Sequence, residues 1–184
     1  MKKIAILLFV LLVWSHTTGA TTLLRLDLDD LTGESSAVVY GKIVASRVEW
    51  NSGRTLIYTV YTVAPTEYLK GRLGPVFELY EPGGVLDGLQ MSVAGAPAFS
   101  VGQEAVLFVW TDPHGQHQVT GFEQGAFPVR ADPQTGLQIV DRVARLGSAR
   151  VASAVASPTS RLLAQFFNQI RSSAAKASRP EATQ

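Results

Sequence analysis

The sequence predicts a mainly β domain, a small closed antiparallel β-barrel that packs against a C-terminal amphipathic helix. Short segments rich in Val, Ile and aromatic residues follow one another about every ten residues with turn residues between them, a spacing typical of barrels and sandwiches. One segment, residues 104–110 (EAVLFVW), is apolar on both faces and must be covered on both. Near the C-terminus, apolar residues at helical spacing predict one stripe of Leu162, Leu163, Phe166, Phe167 and Ile170.

The first 20 of the 184 residues are typical of a secretory signal peptide. Lys2 and Lys3 precede an apolar run over residues 4–14, and small residues follow it up to Ala20. The run is about half as long as the roughly 20 residues that a membrane-spanning helix needs. We therefore expect cleavage after Ala20 and a secreted or periplasmic protein. Since no later stretch is long and apolar enough to span a bilayer, we expect no stable membrane insertion after cleavage.

Residues 35–145 are predicted to form the barrel, after a lead-in segment over residues 21–34 that fits either a helix or an extended strand. The first strand changes its alternation between Gly41 and Ala45, which indicates a β-bulge or a bend. Residues 51–53 (NSG) predict the turn of a hairpin. The whole segment predicts strands at residues 36–50, 54–63, 76–80, 89–93, 104–110, 118–122, 126–130 and 137–141.

The C-terminal part is predicted to be a linker, a helix and a tail. The composition shifts to Ala and Ser over residues 146–157, which favours a linker. Ser157 as N-cap and Pro158 at the first helical position predict a helix over residues 158–171, and residues 172–184 are predicted to be a disordered tail. We expect the helix to cover the outward face of the strand that is apolar on both sides. The alternative is that its stripe binds a partner.

Charge and cysteine content exclude several classes of protein. The chain has 16 Lys and Arg against 15 Asp and Glu, so nothing predicts a nucleic acid or an anionic membrane surface as the partner. It has no cysteine, which excludes disulfides, thiolate nucleophiles, Cys-ligated zinc and iron–sulfur clusters. We predict no cofactor.

The order of four short motifs resembles a known family. They are residues 37–44 (AVVYGKIV), 58–63 (YTVYTV), 68–71 (YLKG) and 102–108 (GQEAVLF). This series resembles the five-stranded OB-fold barrel of the netrin-like modules and tissue inhibitors of metalloproteinases. It is also similar to exported bacterial proteins that add a Pro-Gly-Gly step and a Gly-Ala-Pro-Ala-Phe segment, here residues 82–84 and 95–99.

The resemblance covers about residues 35–142 and implies an OB-like barrel. The metalloproteinase inhibitors chelate a catalytic zinc through an N-terminal cysteine and are braced by disulfides. Because this chain has no cysteine, the resemblance implies the barrel and not the inhibitory mechanism.

Three polar residues in one predicted turn are weak candidates for metal ligands. Asp112, His114 and His117 lie within six residues, and carboxylate and imidazole are usual ligands of divalent metals. Pro113 and Gly115 are typical of a polar turn, and the spacing matches no metal-binding motif. We therefore predict an ordinary turn, with no metal site and no catalytic residue.

The loop after strand 76–80 is the candidate for partner binding. Glu81, Pro82, Gly83 and Gly84 open a Gly-rich segment, and loops on rigid barrels often carry binding residues. The aromatic side chains are expected to pack in the core or on the barrel, with a stacking platform for single strands or sugars as the alternative. They are Trp50, Tyr58, Tyr61, Tyr80 and Trp110.

The sequence thus predicts an exported, non-catalytic binding or interaction module, whose partner is another exported or cell-envelope protein. Two alternatives stay open. One is a protease inhibitor of non-chelating mechanism, which the family resemblance suggests. The other is a metal-assisted hydrolase at Asp112, His114 and His117.

Overall fold

The computed structural model describes residues 25–140 and 161–178. They form a mainly β fold with a closed five-stranded barrel and a C-terminal helix, which confirms the predicted fold class. The predicted signal peptide over residues 1–20 and the predicted linker over residues 146–157 lie outside the described residues. The elements are, in chain order, α1 (Leu28–Glu34), β1 (Ala37–Trp50), β2 (Ile57–Lys70), β3 (Phe77–Pro82), β4 (Gly84–Leu86), β5 (Leu89–Met91), β6 (Glu104–Thr111), β7 (His117–Val119), a 3-10 turn (Phe122–Gly125), β8 (Ala126–Ala131), β9 (Gln138–Val140), β10 (Arg161–Leu162) and α2 (Leu163–Ala177).

The barrel closes because β1 pairs with two strands. The strand order is β1-β2-β3-β7-β6, and β6 returns to lie antiparallel beside β1. The order β6-β1-β2-β3 is that of a Greek key. Between β3 and β7, which run parallel, the ladder consists of the single pair Leu79 and His117. β8, β9 and β10 extend the sheet from β6, and β4 and β5 form a separate hairpin.

β1 is long and bent, as its change of alternation predicts. Its pairing with β2 shifts register between Tyr40 and Gly41 and again between Ile43 and Ala45, which confirms the predicted bulge. A side chain at Gly41 would place its Cβ 2.8 Å from the carbonyl oxygen of Ala64, so glycine is required where the two backbones approach. The bend lets the first half of β1 pair with β6 while the second half pairs with β2 alone.

Two hydrophobic cores lie on the two faces of β6. Ala105, Leu107 and Val109 face the barrel interior. Val106 and Phe108 face the other way and contact the apolar side of α2. All five side chains are fully buried. The prediction that the helix covers the outward face of this strand is confirmed, and the stripe of α2 is not free to bind a partner.

The C-terminal helix begins later than predicted. Arg161 and Leu162 form β10, opposite Val140 and Ile139 of β9, so α2 starts at Leu163. The predicted cap, Ser157 and Pro158, lies outside the described residues. Strand pairing excludes Arg161 and Leu162 from the predicted helix, because it joins these two residues to the sheet. As a result Leu162 is 37% exposed and is not part of the stripe.

The helix also ends later than predicted, since it continues to Ala177 and includes residues that we assigned to a disordered tail. Ser173 is buried and hydrogen-bonds to Asp29 of α1, and Lys176 forms an ion pair with the same carboxylate at 3.3 Å. Packing against α1 thus extends the helix beyond the last residue of its apolar stripe. Within the described residues, neither helix has the length and apolarity required to cross a bilayer.

The lead-in segment forms a helix that is capped at both ends. Asp27 and Asp30 make a capping box at its start, each side chain accepting a hydrogen bond from the other residue's backbone N–H. At its end, the Lys70 ammonium group donates to the carbonyl oxygens of Thr32 and Ser35, at 2.5 and 2.7 Å. Burial lowers the pKa of Lys70 below its usual value. Lys70 therefore attaches α1 to the end of β2.

Several predicted strand ends are wrong. β2 covers Ile57–Lys70 and not residues 54–63, because its pairing with β1 continues through Pro65 to Lys70. β3 runs to Pro82 and not to residue 80, because its pairing with β2 continues as far as Tyr58. β7 ends at Val119 and not at residue 122, because Gly121 and Phe122 have positive φ angles of 65° and 59° and begin the 3-10 turn.

We expect Phe166→Ala to lower the free energy of unfolding by about 3–5 kcal/mol. The ring is 3% exposed and lies 4.9 Å from that of Phe127, centroid to centroid, so its removal leaves a cavity between α2 and the sheet. Urea denaturation followed by circular dichroism measures the change. Gln165→Ala, which alters an exposed neighbour on the same helix, is the control and should stay within about 0.5 kcal/mol of the wild type. Equal losses in both variants would contradict the docking of α2 through this face.

Lys70→Met should lower the free energy of unfolding by about 1–3 kcal/mol, because it leaves the carbonyl groups of Thr32 and Ser35 without their donor. Hydrogen exchange of the α1 amides should become faster, since this helix loses its attachment to β2. Lys42→Met removes an exposed lysine of β1 and should change neither measurement. Unchanged exchange of α1 in Lys70→Met would show that the capping role is wrong.

Candidate interaction surface

The three candidate metal ligands lie at the turn between β6 and β7 but do not form a ligand group. Across the described residues, no set of three or more His, Cys, Asp or Glu side chains is placed to hold a metal ion. The Asp112 carboxylate accepts hydrogen bonds from the backbone N–H groups of His114 and Gln116, both at 2.8 Å. The carboxylate therefore stabilises the turn, and the arrangement is the polar turn that the sequence favours.

His117 is held by its own contacts in the barrel wall. Its Nδ1 hydrogen-bonds to the Thr111 hydroxyl at 2.9 Å, and its ring meets the edge of Phe77 at a centroid distance of 5.8 Å. Burial lowers the pKa of His117, although the charge of Asp112 acts in the opposite sense. The imidazole is thus neutral at physiological pH and serves the packing of the strand.

Glu81, proposed above as a partner-binding residue, faces the barrel interior. Only 3% of the residue is exposed, and the Val119 backbone N–H donates to its Oε1 at 2.8 Å. Burial raises the pKa of Glu81 to about 8, against the opposing effect of the Val119 hydrogen bond. The side chain extends the contact of β3 and β7 beyond the single pair of Leu79 and His117. A partner cannot reach it, so its assignment as a contact residue is wrong.

The remaining three residues of that candidate segment shape the backbone. Pro82 ends β3 and is half-buried. Gly83 donates its N–H to the Ile57 carbonyl oxygen at 2.8 Å and accepts from the Thr59 hydroxyl at 2.8 Å. Gly84 has a φ of 140°, and a Cβ there would lie 2.8 Å from Cγ1 of Val48. The two glycines therefore place β4 directly against the ribbon formed by β1 and β2.

The consequence of this placement is an exposed surface at one end of the barrel, which we call the tip surface. Its residues come from the turn between β1 and β2 and from the hairpin of β4 and β5. Leu56, Val85 and Leu89 are 40%, 62% and 58% exposed on it. The tip surface consists of Trp50, Arg54, Leu56, Val85, Asp87 and Leu89.

Asp87 fixes the two hairpins of the tip surface to each other. Its carboxylate accepts from the Trp50 indole N–H at 2.9 Å and from the Arg54 guanidinium at 3.2 Å. The same guanidinium lies 5.6 Å from the Trp50 ring centroid. These three side chains are exposed or half-buried, so the contacts contribute more to geometry than to stability.

The turn between β1 and β2 is also rigid. The Asn51 side-chain oxygen accepts from the backbone N–H groups of Thr55 and Leu56, at 2.8 and 3.1 Å. The Asn51 backbone N–H donates to the Leu56 carbonyl oxygen at 2.8 Å. Leu56 is therefore held in a defined position although 40% of it faces solvent.

The candidate aromatic residues do not form one platform. Tyr58 and Tyr80 meet edge to face on the outer side of β2 and β3, with ring centroids 6.3 Å apart. Tyr61 is buried in the barrel core, where it contacts Phe99. Trp50 belongs to the tip surface. These positions agree with the packing interpretation and do not support a stacking site.

No protein-family model matches the chain, and no curated protein matches it either.

The sequence gives a partial signal for the tip surface. A turn at residues 51–53 and a Gly-rich loop after β3 are both visible in it, and the loop is the neighbourhood in which we placed the binding residues. The hydrogen bonds of Asp87 are not visible, because they join side chains 37 and 33 positions apart. The predicted segment thus supports the surface. The exposed residues lie partly before it, at Arg54 and Leu56, and partly after it, at Val85 and Leu89.

The pKa of Glu81 predicts a specific pH dependence of stability. In the unfolded chain this carboxyl has its usual pKa of 4.5, and in the folded protein it keeps its proton up to about pH 8. Between these values the folded state binds more protons, so this group makes stability fall as pH rises, by at most about 1.4 kcal/mol per pH unit. Glu81→Gln keeps the acceptor for Val119 and removes the ionisation. We expect its unfolding free energy to lack this slope between about pH 5 and pH 8.

Urea denaturation at a series of pH values measures the effect. Glu78→Gln is the control, because Glu78 is exposed and its pKa is lowered by Arg47. The ionised Glu78 carboxylate stabilises the folded protein at pH values above the pKa that it has in the unfolded chain, and this contribution is lost as the pH falls. Glu78→Gln should therefore keep the wild-type slope of stability above pH 5. The same slope in Glu81→Gln as in the wild type would contradict the buried-carboxyl interpretation.

Proposed function

We propose that this protein is a non-catalytic interaction module that binds another protein through the tip surface. The observation that carries the proposal is the exposed apolar area of Leu56, Val85 and Leu89 on two hairpins that Asp87 holds together. Exposed apolar side chains near polar ones are typical of protein interaction sites. In the β4–β5 register Val85 lies opposite Gln90 and Leu89 opposite Leu86, so Val85 and Leu89 present apolar area on the two faces of that hairpin. The other large exposed apolar side chains among the described residues lie outside these two hairpins: Val44, Val76, Val101, Phe122, Leu137 and Leu162.

The chemistry of the tip surface also favours a protein partner. Trp and Arg are among the residue types that contribute most often to interface energy, and the tip surface contains Trp50 with the Arg54 guanidinium 5.6 Å from its ring centroid. Because the hydrogen bonds of Asn51 and Asp87 fix both hairpins before binding, little conformational entropy remains to be lost. A rigid apolar surface of this kind suits a folded partner.

We propose further that the barrel is of the OB type and that the protein is exported. A closed five-stranded Greek-key barrel supports the first point. In OB folds the loop between the first two strands is one of the binding loops, and here it contributes Arg54 and Leu56 to the tip surface. The signal-peptide pattern of residues 1–20 supports the second point. The partner would then be another exported or cell-envelope protein.

A protease is the narrower form of this proposal. A rigid hairpin that projects from a barrel fits an enzyme cleft, and the family resemblance points to the same class of partner. Such inhibition would have to proceed without a chelating cysteine. The metal-assisted hydrolase has no comparable support, because the Asp112 carboxylate is engaged by its own turn.

Site-specific photocrosslinking tests the proposal. A photoreactive amino acid at Leu89 should give a discrete adduct with one partner protein in cells that naturally produce this chain. The same amino acid at Leu137, which is 52% exposed in the turn between β8 and β9, is the matched control and should give none. Adding Trp50→Ala should abolish the Leu89 adduct. Equal adducts at both positions, or an adduct that survives Trp50→Ala, would refute the assignment of the tip surface.

A further inference from the structure

The second half of β1 has one unpaired edge. From Val44 onward, β1 pairs with β2 alone, since its pairing with β6 ends at Lys42 and Glu104. Residues 44–47 are exposed one after the other, on both faces of the strand. Consecutive exposure of this kind means that the edge itself faces solvent. The segment contains neither Pro nor Lys, two of the residues that natural proteins use to block an edge.

The register shows which backbone groups this edge presents. Asn51 donates its backbone N–H to the Leu56 carbonyl oxygen, which makes these two residues a hydrogen-bonded pair. Hydrogen-bonded and non-hydrogen-bonded pairs alternate in an antiparallel ladder. The N–H and C=O groups of Ser46, Val48 and Trp50 therefore point away from β2. Within the described part of the chain, no other backbone group is hydrogen-bonded to them.

We propose that a second copy of this chain binds this edge, with the two β1 strands antiparallel and Val48 on the two-fold axis. In this register Val48 lies opposite the partner's Val48, and Ser46 lies opposite the partner's Trp50. The groups that point outward from one strand then meet the same groups of the other, which is what an isologous interface requires. The two ribbons become one continuous four-stranded sheet across the dimer.

Charge complementarity is the reason for choosing a second copy over an unrelated strand. The two residues that flank Val48 carry opposite charges, Arg47 and Glu49. In the proposed register Arg47 lies directly opposite the partner's Glu49, and Glu49 lies opposite the partner's Arg47. Opposite charges in such cross-strand positions are favourable, and like charges are unfavourable. Within each chain these two side chains already bond at 2.9 Å, and Arg47 also pairs with Glu78. Pairing across the axis therefore exchanges the two Arg47–Glu49 pairs within the chains for two equivalent pairs between them.

Sedimentation equilibrium of the purified chain tests the proposal without any other protein, so its outcome is independent of the proposed tip-surface function. We expect a monomer–dimer equilibrium in the wild type. Val48→Pro should abolish the dimer, because proline removes the outward N–H and leaves the ladder with β2 intact. Its melting temperature should stay close to that of the wild type.

Charge reversal provides a second test that does not disturb the backbone. Glu49→Arg places Arg47 opposite an arginine of the partner at two symmetric positions, and should raise the dimer dissociation constant about tenfold or more. The double variant Arg47→Glu/Glu49→Arg restores opposite charges across the axis and should recover the dimer. Both positions are exposed, so circular dichroism should show a folded protein in each case.

A disulfide locates the axis. Hydrogen-bonded antiparallel partners have Cα atoms about 5.5 Å apart, within the range that a disulfide spans. Because the chain has no native cysteine, Val48→Cys should give a disulfide-linked dimer on mild oxidation. Leu137→Cys, at a position that is 52% exposed in the turn between β8 and β9, is the control and should not.

Three results would overturn the proposal. The first is a wild type that stays monomeric at every soluble concentration. This outcome would also hold if the edge binds a strand of another protein instead of a second copy. The second is a dimer that persists unchanged in Val48→Pro and Glu49→Arg, since its interface would then lie elsewhere. The third is equal disulfide formation by Val48→Cys and Leu137→Cys.

Discussion

Residues 105–110 of β6 carry no polar side chain, so this strand can exist in water only if both of its faces are covered. The barrel covers one face and α2 covers the other. Other features follow from that constraint. β1 bends so that it can pair with β6 and still continue into the hairpin with β2. β8, β9 and β10 extend the sheet beneath the helix, and α1 packs beside α2, where Asp29 meets Ser173. The fold is organised around one apolar strand.

The barrel is weakest where β3 meets β7, because only Leu79 and His117 pair there through their backbones. Glu81 supplements this contact through its side chain, at the energetic cost of a buried carboxyl group. The two glycines that follow carry β4 across the inner side of the β1–β2 ribbon. The same short segment therefore closes the barrel and positions the tip surface. This explains why a region that resembles a recognition loop has mainly a structural role, while the exposed residues lie on either side of it in the chain.

The sequence predicted what depends on local pattern. The two-sided character of β6, the bulge in β1 and the stripe of α2 all follow from the spacing of apolar residues. The structure confirms the first two and four of the five stripe residues, with Leu162 the exception. The errors arose where contacts between residues far apart in the sequence determine the local structure. Arg161 and Leu162 pair with β9 and delay the start of α2, and Asp29 extends its end. Glu81 looked like a surface residue, because its buried partner Val119 is 38 positions away. The hydrogen bonds of Asp87 could not be predicted for the same reason, since its partners lie 37 and 33 positions away.

The pairing of β1 with β6 has a kinetic consequence. Ala37 lies opposite Val109, so the barrel cannot close until the chain has been made at least as far as β6. The outer core is completed later still, because α2 comes after every strand. Folds dominated by pairings between distant residues form slowly, since the entropy of closing a long loop is lost before the contacts are gained. A chain with this topology should therefore remain unfolded for longer after synthesis than a helical protein of equal length.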